Sequence, residues 1–142
     1  MNILILNGPN LNLLGTREIS IYGKESLEDI QKWLIDQPEA RGHKFIWYQS
    51  NHEGNLIDQI HIATDDMDGI IINPGALTHY SYTLRDAIAA INIPVVEVHL
   101  SNIHSREAFR KKSVIKDVCL KQIYGHGKRG YLEAIKALLE YK

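Results

Sequence analysis

The chain has one cysteine, Cys119, so no internal disulfide can form and a reducing, cytoplasmic setting is expected. That thiol reads as a small buried residue beside a strand, not as a nucleophile. Charge imbalance is also missing, since 16 lysines and arginines face 17 aspartates and glutamates. No field therefore points to nucleic acid or an anionic membrane as a partner. No apolar run approaches the roughly 20 residues needed to cross a bilayer. The run Ile3 to Leu6 is too short for the centre of a signal peptide and lacks a basic leader. Repeats, low-complexity tracts and linkers are absent. The histidines lack H-x-x-x-H spacing and there are no paired cysteines, which argues against a metal centre.

What is present suits one catalytic domain over residues 1–142, long enough to bury a real core. Short runs rich in Ile and Val alternate with helical stripes. The expected strands are Ile3–Leu6, Lys44–Tyr48, Gly69–Ile72, Val95–Val98 and Leu120–Tyr124. Between them lie Leu27, Ile30 and Leu34, with Ser26 and Asp29 placed as a capping box. Leu56, Ile57, Ile60 and Ala63 form a second stripe, and Leu84, Ala87, Ile88 and Ile91 a third. Tyr131, Leu132, Ile135, Leu138 and Leu139 form the last, and a short helix is expected over Arg106 to Lys112. This alternation predicts an α/β, flavodoxin-like three-layer sandwich. Its five-stranded parallel sheet has order 2-1-3-4-5, with helices on both faces.

Three strand ends carry polar groups: Asn7 onward, Asn73 to His79, and Glu97 to Asn102. Open parallel sheets bind ligands beyond the carboxyl ends of their strands, so one composite pocket is expected there. The connection from Gly8 to Lys24 is unusually long, and a lid is expected over about residues 15–24. Glu97 and His99, two apart on a strand, share a face. A carboxylate beside an imidazole fixes its tautomer and favours its charged form. Arg17 and Tyr22 share the lid. A phenol is a poor base at neutral pH, and a guanidinium beside it favours the phenolate. Asn10, Asn73 and Ser101 suit hydroxyls and a developing oxyanion, while Asn12 reads as a turn former. Arg110 has the fork geometry to clamp a carboxylate. His79 is the other histidine in a loaded loop. Gly125-His126-Gly127 reads as a tight turn into the last helix and not as a phosphate loop.

Together these segments resemble the type II 3-dehydroquinate dehydratases. The likeness rests on residues 7–18 (NGPNLNLLGTRE), Ile21-Tyr22-Gly23 and residues 49–54 (QSNHEG). It continues through Asn73-Pro74-Gly75-Ala76 with Thr78-His79, then residues 97–102 (EVHLSN) and Phe109-Arg110. The resemblance implies an anti elimination of water from 3-dehydroquinate through an enolate, without cofactor or metal, in the shikimate route to aromatic amino acids. It assigns Tyr22 as base, Arg17 as its stabiliser and lid clasp, His99 as acid to the leaving hydroxyl, and Glu97 as orienter. Asn10 would hold a water on the enolate. Asn73, His79, Asp86, Leu100, Ser101 and Arg110 would grip the substrate. Asp86 would come from a neighbouring subunit of a dodecamer built as a tetramer of trimers. One departure is visible: family members often carry proline and an acidic residue where Ile19-Ser20 stand, so a lid less restricted when open is expected.

Other readings of the same fold stay in play. A flavin or nucleotide binder would want a Ser/Thr/Gly-rich loop after the first strand, which Gly8-Pro9-Asn10-Leu11 does not supply. A phosphoacceptor domain would want acidic residues where Asn7 and Asn73 stand. A non-catalytic binding or subunit-interaction module is left open by composition alone.

Overall fold

Five apolar runs become five parallel strands in the computed structural model, which describes residues 1–141. They are β1 (Asn2–Asn7), β2 (Lys44–Gln49), β3 (Gly69–Asn73), β4 (Val95–His99) and β5 (Lys121–Tyr124). Their order across the sheet is β2-β1-β3-β4-β5. The helices are α1 (Ile19–Tyr22), α2 (Leu27–Ile35), α3 (Glu53–Asp66), α4 (Tyr82–Ala89) and α5 (Arg129–Tyr141). This is the expected flavodoxin-like sandwich with the expected strand order.

Period-two alternation divides the core between the two faces of the sheet. Ile3, Ile5, Ile71, Val96 and Val98 pack with Ile30 and Leu34 of α2 and with Tyr131, Ile135 and Leu138 of α5. Leu4, Leu6, Ile70, Ile72 and Val95 pack with Leu56 and Ile60 of α3 and with Leu84 and Ile88 of α4. Each fully buried Ile or Leu contributes about 1.5–3 kcal/mol, so the centre of the sheet is firmly fixed. The alternation also turns Asn7 and Asn73 toward the α2/α5 layer, and Glu97 and His99 toward the α3/α4 layer.

The capping box forms as expected. Asp29 N–H donates to Ser26 Oγ at 3.1 Å, and Ser26 N–H donates to Asp29 Oδ2 at 3.0 Å. Two expectations need correction. The short helix over Arg106 to Lys112 is instead a single 3-10 turn over Ala108–Lys111. So few residues cannot repay helix nucleation, and the Arg110–Glu107 pair holds the tighter turn. Leu120 lies outside β5, which begins at Lys121 and buries only Ile123, as suits an edge strand. Among the described residues no helix is long and apolar enough to cross a membrane.

Candidate active site

β1 and β3 run side by side to a common end, with Asn7 opposite Asn73 in register. Here the sheet order reverses, and the loops from the two strands meet. Gly8 N–H donates to the Asn73 carbonyl at 2.8 Å. A Cβ on Gly8 would lie 2.5 Å from the Pro74 carbonyl oxygen, so only glycine permits this approach. The crossing carries Asn10 over the strand ends in a left-handed conformation, φ 70°, which asparagine tolerates better than most residues. Asn51 Oδ1 accepts from Asn10 N–H at 2.9 Å and holds it there. Asn12 takes part in the following 3-10 turn over Leu11–Leu13, as its turn-former reading implied.

The segment expected to form a lid reaches the same strand ends, with Arg17 and Tyr22 lining the cavity there. Glu18 has φ 35°, a strained value for a residue with a side chain, and it turns the chain into α1. Ile19 opens that turn. Arg17 Nη2 bonds Glu18 Oε2 at 3.0 Å and lies 3.5 Å from the Tyr22 hydroxyl. The Arg17 guanidinium also stands 4.5 Å from the centroid of the Tyr22 ring. A second cation lies closer. Arg106 Nη1 donates to Tyr22 Oη at 2.7 Å and to Ser101 Oγ at 3.2 Å.

One cavity gathers these groups. The first loop and lid supply Asn10, Arg17 and Tyr22, and the β3 end supplies Asn73 and His79. β4 and the chain beyond it supply His99, Leu100, Ser101, Arg106 and Arg110. Of the eleven residues expected at the site, two do not line this cavity. Glu97 lies beneath His99. Asp86 is exposed on α4, in a separate shallow recess with Ile57, His61 and Thr83.

His99 rests on a fully buried carboxylate. His99 Nε2 and Glu97 Oε1 are 2.7 Å apart, so Nε2 carries a proton and Nδ1 is the ring nitrogen left for a ligand. Three further donors converge on Glu97. Thr78 Oγ1 donates to Oε1, Ser113 Oγ donates to both oxygens at 3.0 and 3.1 Å, and Gln122 Nε2 donates to Oε2 at 3.1 Å. Burial by itself would raise the Glu97 carboxyl. The His99 bond and charge, with the Thr78 and Gln122 bonds, outweigh it and hold the group below its ordinary value.

His79 Nδ1–H donates to the Lys112 carbonyl at 2.6 Å. Burial lowers its pKa, the Lys112 bond opposes this, and the His99 and Arg110 charges lower it further. His79 is therefore neutral near pH 7, with Nε2 as an acceptor. Arg110 Nε donates to Glu107 Oε2 at 2.9 Å, which fixes the guanidinium and leaves its Nη groups for an anion. Burial pushes the Cys119 thiol up, so it stays protonated and inert. Among the described residues, no His, Cys, Asp and Glu side chains cluster in a way that would hold a metal.

Sequence reasoning missed Arg106 and the three donors around Glu97. An arginine four residues before Arg110 was visible, but 84 residues separate it from Tyr22. Only the fold of the loop turns it inward. Gln122 was findable in principle, because it is the Cα partner of Glu97 once β4 and β5 are placed side by side.

The chemistry available is that of a cation-flanked phenol and a carboxylate-backed imidazole opening on one cavity, with neutral donors and a clamped arginine around them. Comparison with known proteins agrees with that inventory. The family model described as dehydroquinase class II matches residues 1–139. A 3-dehydroquinate dehydratase of Bacillus cereus (strain AH820) is 55% identical over 138 residues, covering 97% of this chain and 94% of that protein. The crystal structure of a type II dehydroquinase from Butyrivibrio crossotus DSM 2876 superposes with a TM-score of 0.94 at 49% identity, covering 98% of this chain and 97% of that one. One from Propionibacterium acnes gives 0.92 at 39% identity, covering 98% and 96%. These matches run almost end to end and set aside the flavin-binding and phosphoacceptor readings. On this evidence the chain belongs to the class II dehydroquinase family of enzymes.

Proposed function

We propose that this enzyme dehydrates 3-dehydroquinate to 3-dehydroshikimate by anti elimination through an enolate, in the shikimate route to aromatic amino acids. The observation that carries the reading is the Tyr22 hydroxyl under two guanidinium groups, in the same cavity as His99 on its buried carboxylate.

The Tyr22 phenolate, with Arg106 and Arg17 stabilising its negative charge, removes the proton alpha to the ring ketone. The C–H electron pair forms the carbon–carbon double bond of the enolate as the carbonyl π pair moves onto oxygen. Asn10, through a water, stabilises the resulting enolate. His99, presenting Nδ1–H, then protonates the departing hydroxyl. The C–O bond breaks, water leaves and the conjugated enone forms. Tyr22 has gained a proton and His99 has lost one, and exchange with solvent resets the pair. Glu97 keeps the ring aimed through its bond to Nε2. Asn73, neutral His79, Leu100 and Ser101 hold the substrate's hydroxyls, and Arg110 its carboxylate. The absence of lysine among the residues lining the cavity supports a route without an imine.

Asp86 acts on a neighbouring subunit's substrate in this reading, within a dodecamer built from four trimers. Its exposed position outside its own cavity supports that role. The chain works as a single catalytic domain in the cytoplasm, and it requires no cofactor or metal.

The test is an absorbance assay for the conjugated enone formed from 3-dehydroquinate. Turnover is expected, and it is expected to survive treatment with borohydride in the presence of substrate. No enone, or inactivation by borohydride, would overturn the reading.

A further inference from the structure

Tyr131 does not line the site cavity, yet its hydroxyl reaches the strand ends that form the site's floor. The residue is fully buried on α5, with its ring 6.3 Å from that of Trp47 in the α2/α5 layer. Its hydroxyl sits between Asn7 and Asn73, the last residues of β1 and β3. It donates to Asn7 Oδ1 at 2.5 Å and accepts from Asn73 Nδ2 at 3.4 Å. Burial pushes the pKa of this phenol up, so it remains protonated and keeps both bonds.

The orientation of the Asn73 amide follows from its partners. Gly75 N–H can only donate, and it meets Asn73 Oδ1 at 3.2 Å. Nδ2 must therefore face Tyr131. One of its two hydrogens is used there, and the other has no protein acceptor among the described residues. Asn73 itself lines the cavity. Asn7 cannot take over the task, since it is buried and does not line the cavity.

We propose that Tyr131 is a positioning residue for substrate recognition, fixing the Asn73 amide so that the site offers an N–H donor to one substrate oxygen. This rests on reading Asn73 as a substrate contact. A grip present in ground state and transition state alike acts on KM and leaves kcat nearly untouched.

The test is a double-mutant cycle of Tyr131→Phe and Asn73→Ala, followed by steady-state kinetics and thermal melting. Tyr131→Phe is expected to raise KM about three- to tenfold, the scale of one hydrogen bond, with little change in kcat. In the Asn73→Ala background the same change should leave KM where it is while still lowering Tm. If Asn73→Ala leaves KM unchanged, the reading of Asn73 falls and the role of Tyr131 falls with it. If Asn73→Ala raises KM but Tyr131→Phe does not, or the two effects simply add, only the role of Tyr131 falls. Should Tyr131→Phe fail to fold, crystals of the parent enzyme with 3-dehydroshikimate decide the matter. Asn73 Nδ2 bonded at once to ligand and Tyr131 supports the proposal, and an amide turned away from Tyr131 overturns it.

Discussion

Arg106 meets the Tyr22 hydroxyl at 2.7 Å, closer than the lid's own Arg17 at 3.5 Å. The nearer guanidinium is mostly buried, with 11% of its side chain exposed against 24% for Arg17. Charge–charge interactions strengthen as water is excluded, so Arg106 is the stronger support for a phenolate. It is also anchored independently of the lid, through Ser101. Arg106→Gln should lower kcat by about 10²–10³, the cost of losing one preorganised donor, with a smaller change in KM. Steady-state rates of enone formation check this. Unchanged kcat would return the whole burden to Arg17.

Glu97 gives a pH-dependent stability whose sign is fixed. Its carboxyl sits below its ordinary value in the folded protein, so its contribution is full above about pH 4.3 and is lost as pH falls through the depressed value. Glu97→Gln removes the ionisation. The parent's Tm should exceed the variant's near neutrality, and the gap should close as pH falls through the depressed value. A gap that stays constant with pH would show that the carboxyl's charge is not what the surrounding donors stabilise.

Gly8 tests the crossing that delivers Asn10. An added methyl would meet the backbone of Pro74, which cannot swing aside as a side chain can. Gly8→Ala should cost about 1–3 kcal/mol, the usual cost of overpacking, and lower activity by displacing Asn10. Thermal melting and kcat/KM together check it. A variant that melts like the parent would mean that the two loops are free to separate.

Asp86 makes the assembly testable by complementation. Asp86→Ala and Tyr22→Phe should each be poorly active alone. When the two chains are co-assembled, some sites draw Tyr22 from one and Asp86 from the other, and activity should exceed that of either parent variant. Mixtures that never exceed the simple average would mean that Asp86 does not serve a neighbour's site.

The fold was legible because its signals are local. Ile3 to Leu6, Gly69 to Ile72 and Val95 to Val98 are buried on both faces, and their apolar runs announce that directly. Ser26 and Asp29 likewise find each other across three residues. β5 was less distinct, because an edge strand with one buried residue leaves little pattern. The same contrast holds in the site. Glu97 and His99 are coupled by strand periodicity, and Arg17 and Tyr22 by a short loop, so both pairs could be read. Arg106 and Tyr131 act across the fold on Tyr22 and Asn73, and no local spacing encodes such contacts. The position of Tyr131 within a helical stripe marked it as core, which it is, and concealed its polar end.

The most direct measurement of the central claim is solvent deuterium exchange at the carbon alpha to the ketone, using variants in which elimination is blocked. With His99→Asn, the acid is gone but Tyr22 remains, so recovered 3-dehydroquinate should carry deuterium at that carbon above the level of an enzyme-free control. With Tyr22→Phe, recovered substrate should carry none beyond that control. Exchange that persists undiminished in Tyr22→Phe would contradict the assignment of the lid tyrosine as the base.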